Sequence, residues 1–194
     1  MDRYNFALYA HFLAIVAAVV AATLLHVSFV RLRRTTRVAE ARDAIATISR
    51  TAPLMPMFAL VLLATGAVLV TLRWAWHDGW VIAGIVGLLT MPVVSLLVMK
   101  PRLSTWARAL SEAQDGPLDA ALASALQDRV AWGAMTYNHV VSLAVMLVMV
   151  LKLTLVASLG VLLVAPVIGV LSALSAGRSK SRAATSTDMS ANRS

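Results

Sequence analysis

The sequence contains no cysteine among its 194 residues. This absence excludes disulfides, iron–sulfur clusters and thiolate metal sites, so a metal would have to be bound by histidine, methionine or carboxylate side chains. Charged residues make up only 13% of the chain, and five long apolar runs contain no aspartate or glutamate at all. A proton-coupled carrier of the usual acidic type is therefore disfavoured.

Apolar side chains dominate what is present. They make up 60% of the residues, and the mean hydropathy is +0.81, whereas soluble domains are roughly half apolar. The runs are long enough to cross the ~30 Å hydrocarbon layer as helices. We therefore predict an all-α, polytopic membrane helical bundle with five transmembrane helices, at about residues 6–30, 54–72, 80–99, 130–151 and 153–176. Residues 177–194 are mostly small, polar or basic and are predicted to form a disordered cytoplasmic tail.

The fourth and fifth runs are separated only by Lys152. As one helix, residues 140–175 would be about 54 Å long, which exceeds the thickness of a bilayer even with tilt, so the chain has to turn near Lys152. Because no glycine or proline marks that turn, a four-span interpretation stays open.

The basic residues predict the orientation. With the N-terminus outside, only Arg3, Arg73 and Lys152 lie on the outer side. The other fourteen lie in the inner loops and the tail: Arg31, Arg33, Arg34, Arg37, Arg42, Arg50, Lys100, Arg102, Arg108, Arg129, Arg178, Lys180, Arg182 and Arg193. Cationic residues beside spans resist translocation, so this division predicts an outer N-terminus and an inner C-terminus and favours five spans over four. It also accounts for the net charge of +8, and nucleic-acid binding is not expected.

Two inner connections have helical patterns. Residues 36–48 repeat apolar side chains every three or four positions, which predicts an amphipathic helix that is either an ordinary connector or lies at the membrane surface. Residues 101–129 are predicted to form two helical pieces that are interrupted at Gly116 and Pro117.

Histidine is the residue type to examine for a site, because polar groups inside a membrane are costly and are functional candidates by default. His11 lies on a face of small residues in the first span, and His139 lies on a stripe of bulky or polar side chains in the fourth. Both faces are expected to point inward. Since imidazole and thioether groups bind haem iron and copper, two sites are considered: haem b held by His11 and His139, and copper held by His11, Met146 and Met149.

Residue counts favour a simpler interpretation, in which these side chains only pack and form hydrogen bonds. Counted from the outer edge, His11 lies at a depth of about 8 Å, His139 at about 18 Å and His26 at about 30 Å. Two axial ligands of one haem should reach similar depths, so the offset of about 10 Å requires tilted helices or a shifted boundary. We therefore expect that the protein binds no cofactor.

Proline suggests a second alternative, a small-solute transporter. Pro92 and Pro166 are expected to bend the third and fifth spans, and a transporter would have a hydrated cavity between them. Inverted repeats are not evident in the sequence. The sequence also shows no nucleophile with an ordered base, no phosphate-binding loop and no zinc-protease motif, so no enzyme activity is assigned.

Short motifs over about residues 6–155 resemble those of a family of small bacterial integral membrane proteins of unknown function. They are an Arg-rich first inner loop, Tyr9-Ala10-His11-Phe12-Leu13, Leu63-Ala64-Thr65-Gly66, the turn from Trp74 to Trp80, Lys100-Pro101-Arg102 and Met149-Val150-Leu151-Lys152. The resemblance implies a bacterial inner-membrane location. A more distant similarity to copper-resistance and protoporphyrinogen-oxidising helical membrane proteins implies the copper and haem alternatives.

The sequence as a whole favours an integral plasma-membrane protein that acts as a non-enzymatic accessory or scaffolding component of a membrane assembly. The expected partners are the lipid bilayer and other membrane-protein helices, including a second copy of the chain, because seams of small residues favour close helix contacts.

Cysteine labelling tests the predicted orientation, and the absence of native cysteine removes the background. In intact cells, a thiol reagent that does not cross membranes should label Asp2→Cys and leave Ser194→Cys unlabelled, because five crossings put the two ends on opposite sides. Equal labelling of both variants would contradict the five-span orientation.

Overall fold

The computed structural model describes the backbone of residues 2–191 and the side chains of residues 2–175. Over these residues the fold is all-α, as predicted. The helices are α1 (Arg3–Arg34), α2 (Val38–Thr51), α3 (Leu54–Arg73), α4 (Gly79–Val94), a π-helical turn (Ser95–Met99), α5 (Lys100–Glu112), α6 (Ala120–Leu126), α7 (Arg129–Leu151) and α8 (Leu155–Ala191).

Five helical stretches in the described part of the chain are long and apolar enough to cross a membrane. They are α1, α2 with α3, α4 with α5, α6 with α7, and α8 as far as Ser175. The five-span prediction is therefore confirmed. The predicted tail, residues 177–194, lies outside the described side chains and stays a prediction.

The turn between the last two spans lies where the sequence required it. α7 ends at Leu151, Lys152 adopts a left-handed conformation with φ of 50°, and α8 begins at Leu155. This conformation is usually taken by glycine. Here Lys152 takes it, and its Nζ lies 3.8 Å from the centre of the Trp74 ring, a cation–π contact that holds the lysine at the turn.

Several helices are longer than the predicted spans. α1 has 32 residues and the stretch Val38–Arg73 has 36, or about 48 and 54 Å, compared with ~30 Å of hydrocarbon. At the end that carries most of the arginines, α2, α5, α6 and the last two turns of α1 pack together into a unit that we call the cap. With the start of α7, these elements supply its buried core: Phe29, Leu32, Val38, Ala41, Ala44, Ile45, Ile48, Trp106, Leu110, Leu122, Leu126, Ala131 and Met135.

The apolar face of α2 explains why the cap folds. Val38, Ala41, Ile45 and Ile48 are each no more than 5% exposed, because they recur on one side of the helix and pack against α1 and α5. The connection between the first two spans is therefore a packed connector, and its apolar face is covered by protein.

The connection between the third and fourth spans is broken where predicted. α5 ends at Glu112 and α6 begins at Ala120, and between them Gly116 has φ of +154°, a conformation that L side chains rarely adopt. The carbonyl of Gly116 accepts a hydrogen bond of 3.0 Å from the amide of Val38, and the amide of Leu118 donates one of 2.8 Å to the carbonyl of Thr36. These two bonds tie the α1–α2 turn to the α5–α6 connection.

Small residues let the spans approach closely. On α1, Ala7, Ala14 and Ala21 are buried at intervals of seven residues, which confirms the predicted inward face. Between α7 and α8, a Cβ atom added to Gly133 would lie only 2.9 Å from the carbonyl oxygen of Gly169. The two backbones therefore touch at this point, as small residues at helix crossings allow.

The end opposite the cap is held by aromatic rings and a backbone contact. Trp74 and Trp80 meet edge to face with centroids 5.4 Å apart, and the Arg73 guanidinium lies 5.1 Å from the centre of the Tyr4 ring. A Cβ atom added to Gly79, the first residue of α4, would overlap the backbone nitrogen and Cα of Leu155.

Alanine at two glycines tests how closely the spans pack. Gly79→Ala should lower the thermal unfolding temperature in detergent by several degrees, because the backbone of Leu155 has to move. Gly160→Ala is the matched control, since no atom lies within 4 Å of its added Cβ. This change should leave the temperature unchanged or raise it slightly, because alanine favours helix. Equal effects of the two substitutions would contradict the packing described.

Candidate functional site

The histidine and asparagine side chains inside the bundle lie at two levels. One level is the contact between His11 of α1 and Thr65 of α3. The other lies close to the cap, where His26 of α1 meets His139 of α7, and where Asn138 of α7 bonds to the π-helical turn. The second level brings together residues from three spans and is the candidate functional site.

The first level is a closed hydrogen-bond chain. His11 Nδ1 lies 2.8 Å from Thr65 Oγ1, and the Thr65 hydroxyl donates its own hydrogen to the carbonyl of Val61 at 2.7 Å. With the Thr65 hydrogen directed to this carbonyl, the arrangement fits the His11 tautomer that carries its proton on Nδ1 and donates to Thr65 Oγ1. The ring also lies against Gly66, where an added Cβ would be 3.5 Å from His11 Cε1. His11 thus joins α1 to α3.

The second level is built around a pair of histidine rings. The His26 and His139 centroids are 4.7 Å apart in an edge-to-face arrangement, and the Trp132 ring lies 5.9 Å from His26. Trp132 is two turns before His139 on α7, so α7 presents both rings to the same part of α1. Edge-to-face contacts of this kind are favourable because the ring edge is positive and the face negative.

A stack of aromatic rings connects the histidine pair to the cap. Phe29 stacks on Trp132 with centroids 6.2 Å apart and lies 6.1 Å from Trp106 of α5. The Arg33 guanidinium lies over the Trp132 ring, 4.5 Å from its centre. Ring contacts therefore join a membrane span to the cap, in the order His139, His26, Trp132, Phe29 and Trp106.

The hydrogen bonds of the two histidines differ. His139 Nδ1 lies 3.1 Å from the carbonyl of Met135, and because a carbonyl only accepts, His139 carries its proton on Nδ1. His26 Nδ1 is buried and has no hydrogen-bond partner among the described residues. A buried polar atom without a partner is destabilising, and each such atom calls for an explanation.

A second polar contact is made by the residue that precedes His139 on α7. Asn138 Nδ2 donates to Ser95 Oγ at 3.1 Å, while Asn138 Oδ1 is buried without a partner in the described part of the chain. Ser95 begins the π-helical turn, three residues after Pro92, which has no amide hydrogen to donate to the preceding turn. π-helical turns are frequent at functional sites.

The residues proposed for haem are not brought together. His139 contacts His26, which lies fifteen residues from His11, or about 22 Å along α1. The copper set is separated as well, since Met149 Cε packs against Gly84 of α4. Met146 is 39% exposed, so this member of the predicted inward stripe of α7 does not face the interior.

His26 is the member of the site that sequence reasoning missed. Counting residues from the ends of the spans separated His26 from His139 by about 12 Å, but their rings are in contact. The count assumed that all spans begin at one level, whereas α1 and α7 are offset along their axes. A usable signal was the spacing of His26, Phe29 and Arg33, which puts three ring-binding side chains on one face of α1.

Charged groups in the cap are used in structural contacts. Arg42 donates to the carbonyls of Leu110 at 2.9 Å and Ala113 at 2.5 Å and pairs with Asp115, so one guanidinium satisfies carbonyls at the end of α5. Arg102 binds Asp128 at 2.7 Å, and Asp128 also accepts from the first amides of α7. An open groove of ≈ 480 Å³ runs beside this pair, lined also by Thr105, Trp106 and Ser124.

The predicted cavity between the two proline-containing spans is not found where they meet. A Cβ added to Gly87 of α4 would lie 3.0 Å from Leu162 of α8 and 2.5 Å from Val145 of α7. Apolar side chains thus fill this contact.

No family model, curated protein or solved structure matches the chain. The fold defines a helical membrane bundle with five spans and a packed cap at one end.

Phenylalanine at each histidine of the pair tests the hydrogen bonding. His26→Phe keeps an aromatic ring in place and removes the unpartnered nitrogen, so the unfolding temperature should stay the same or rise. His139→Phe removes the bond to the Met135 carbonyl and should lower it. If His26→Phe were the more destabilising change, His26 Nδ1 would have a partner in the native protein.

Proposed function

We propose that the chain is a non-enzymatic accessory or scaffolding component of a membrane assembly in the bacterial inner membrane, with its N-terminus outside and the cap inside. The observation that carries the proposal is the cap itself. A folded unit outside the apolar layer gives the bundle a surface on which soluble and membrane-bound partners can assemble.

The cap is rigidly connected to the spans. α2 is followed by α3 after two residues, and α5 directly continues the helix of α4 through the π-helical turn. The rings of Phe29, Trp132 and Trp106 add contacts between the spans and the cap. A partner bound to the cap is therefore held in a fixed position relative to the membrane.

The polar side chains of the bundle support the same proposal. His11 bonds to Thr65, Asn138 to Ser95, and Arg102 to Asp128, so each of these pairs holds two helical elements together. Such contacts are the expected use of polar groups in membrane bundles, where they bind neighbouring helices.

One observation favours a second candidate, a cofactor-binding protein. His139 has its Nδ1 occupied by a carbonyl, which is how metal-binding histidines are commonly oriented, and His26 has a nitrogen without a partner. In this candidate His26, rather than His11, would act together with His139.

Copurification and absorption spectra separate the two candidates. The full chain, purified in mild detergent from the membranes of its own host after cross-linking, should be colourless and associated with other chains or with a second copy. Arg42→Ala should reduce this association, because it removes the contacts that close α5 in the cap. The control, His77→Ala at the opposite end of the bundle, should not.

A strictly monomeric chain would contradict the scaffolding proposal. A haem absorption band, or bound copper, that is lost in His26→Ala and in His139→Ala but kept in His11→Ala would replace it with the second candidate.

A further inference from the structure

Each of the first four spans meets the cap at a basic residue. Arg31 follows the apolar run of α1, Arg50 precedes that of α3, Lys100 follows that of α4, and Arg129 precedes that of α7. Arg34 lies one turn beyond Arg31 on the same side of α1. Each of these four spans therefore has a cation at its cap end.

Some basic side chains near this level are occupied by protein groups. Arg33 covers Trp132, Arg42 binds carbonyls and Asp115, and Arg102 binds Asp128. By contrast, Arg31, Arg34, Arg50 and Lys100 are exposed and make no side-chain hydrogen bond or ion pair within the described residues. We call these four residues the basic belt.

The nearby carboxylates do not neutralise the basic belt. Asp115 pairs with Arg42, Asp128 pairs with Arg102, Asp119 accepts from the amide of Leu122, and Glu40 accepts from the Thr35 hydroxyl. Asp43 and Glu112 also lie in the cap, but among the described residues no carboxylate forms an ion pair with the basic belt. The four cations are therefore available to bind anionic groups outside the chain.

Three of the belt residues lie about one helical turn from an exposed apolar side chain on the same helix face. Val27 is one turn from Arg31 and 50% exposed, Leu54 is one turn from Arg50 and 40% exposed, and Leu97 is nearly one turn from Lys100 and 72% exposed. A cation above an exposed aliphatic side chain suits the boundary between headgroups and acyl chains, where long basic side chains reach the phosphates.

The side chains of the belt are also within reach of one headgroup layer. The contact between His11 and Thr65 sets the register of α1 and α3, and it puts Arg50 roughly opposite His26, about five residues before Arg31. Five residues correspond to about 7 Å, and Arg34, three residues beyond Arg31, lies about 12 Å from the level of Arg50. Each headgroup layer of a bilayer is about 5–8 Å thick, and the long side chain of Arg34, which leans back towards the N-terminus of α1, is able to reach this layer.

We propose that the basic belt binds the phosphate groups of anionic phospholipids in the leaflet at the cap side. The exposed aliphatic residues beneath it contact the acyl chains of the same lipids. A dissolved polyanion would meet these apolar surfaces without covering them, which is why a lipid, rather than nucleic acid or an acidic protein, is the ligand that fits.

Lipid selectivity of the reconstituted full chain tests the proposal. In bilayer discs made of equal amounts of phosphatidylglycerol and phosphatidylcholine, native mass spectrometry should find phosphatidylglycerol enriched among the lipids that stay bound. Arg50→Gln/Lys100→Gln should reduce its relative affinity about 25-fold, because each cation near the surface contributes about a factor of five. The enrichment should also fall as salt is raised.

The matched control is Arg37→Gln/Arg108→Gln, which removes two exposed cap arginines away from the apolar boundary and should leave the enrichment unchanged. Equal loss in both double variants, or full enrichment in the belt variant, would overturn the proposal. So would a soluble polyanion that removes the bound phosphatidylglycerol. If the double variant does not fold, Arg50→Gln and Lys100→Gln alone each carry the test, with an expected fivefold loss.

Discussion

A hydrocarbon layer offers no hydrogen-bond partners, and this constraint determines most of what the chain does. Backbone groups have to be satisfied within each span, so the spans are helices. Polar side chains have to find partners on neighbouring helices. The chain meets this second requirement with a few specific pairs, such as His11 with Thr65 and Asn138 with Ser95. Where a pair is incomplete, as at His26 Nδ1, the exception marks the candidate site.

The cap follows from a different balance. Outside the hydrocarbon layer, water again drives the burial of apolar side chains, so the amphipathic α2 packs its apolar face inward. Charged groups take part as well, since Arg42 closes the end of α5 and Asp128 begins α7 while it holds Arg102. The same helices are thus stabilised by packing and polar pairs inside the hydrocarbon layer and by hydrophobic burial outside it. The aromatic contacts from Trp132 to Trp106 connect these two parts of the molecule.

The spans were predictable because their signal is local. Length, apolar runs and basic flanks can be read from the chain directly, and even the turn at Lys152 followed from the maximum length of a membrane helix. The cap was only partly predictable: periodicity identified α2 and the break at Gly116, but not that these pieces share one core. The histidine pair was not predictable. The contact between His26 and His139 depends on the axial offset between α1 and α7, and counting residues from the ends of the spans gives no information about that offset.

The π-helical turn between α4 and α5 has a geometric effect on everything that follows it. Successive residues of an α-helix are rotated by about 100°, and a π-helical turn accommodates one residue more than a regular turn. Ser95–Met99 therefore rotates α5 relative to α4 by about that angle, and in this orientation Trp106 and Leu110 face the core of the cap. The number of residues in this short segment thus determines how α5 is rotated relative to the membrane span α4. A single-residue deletion there would turn the buried face of α5 towards water.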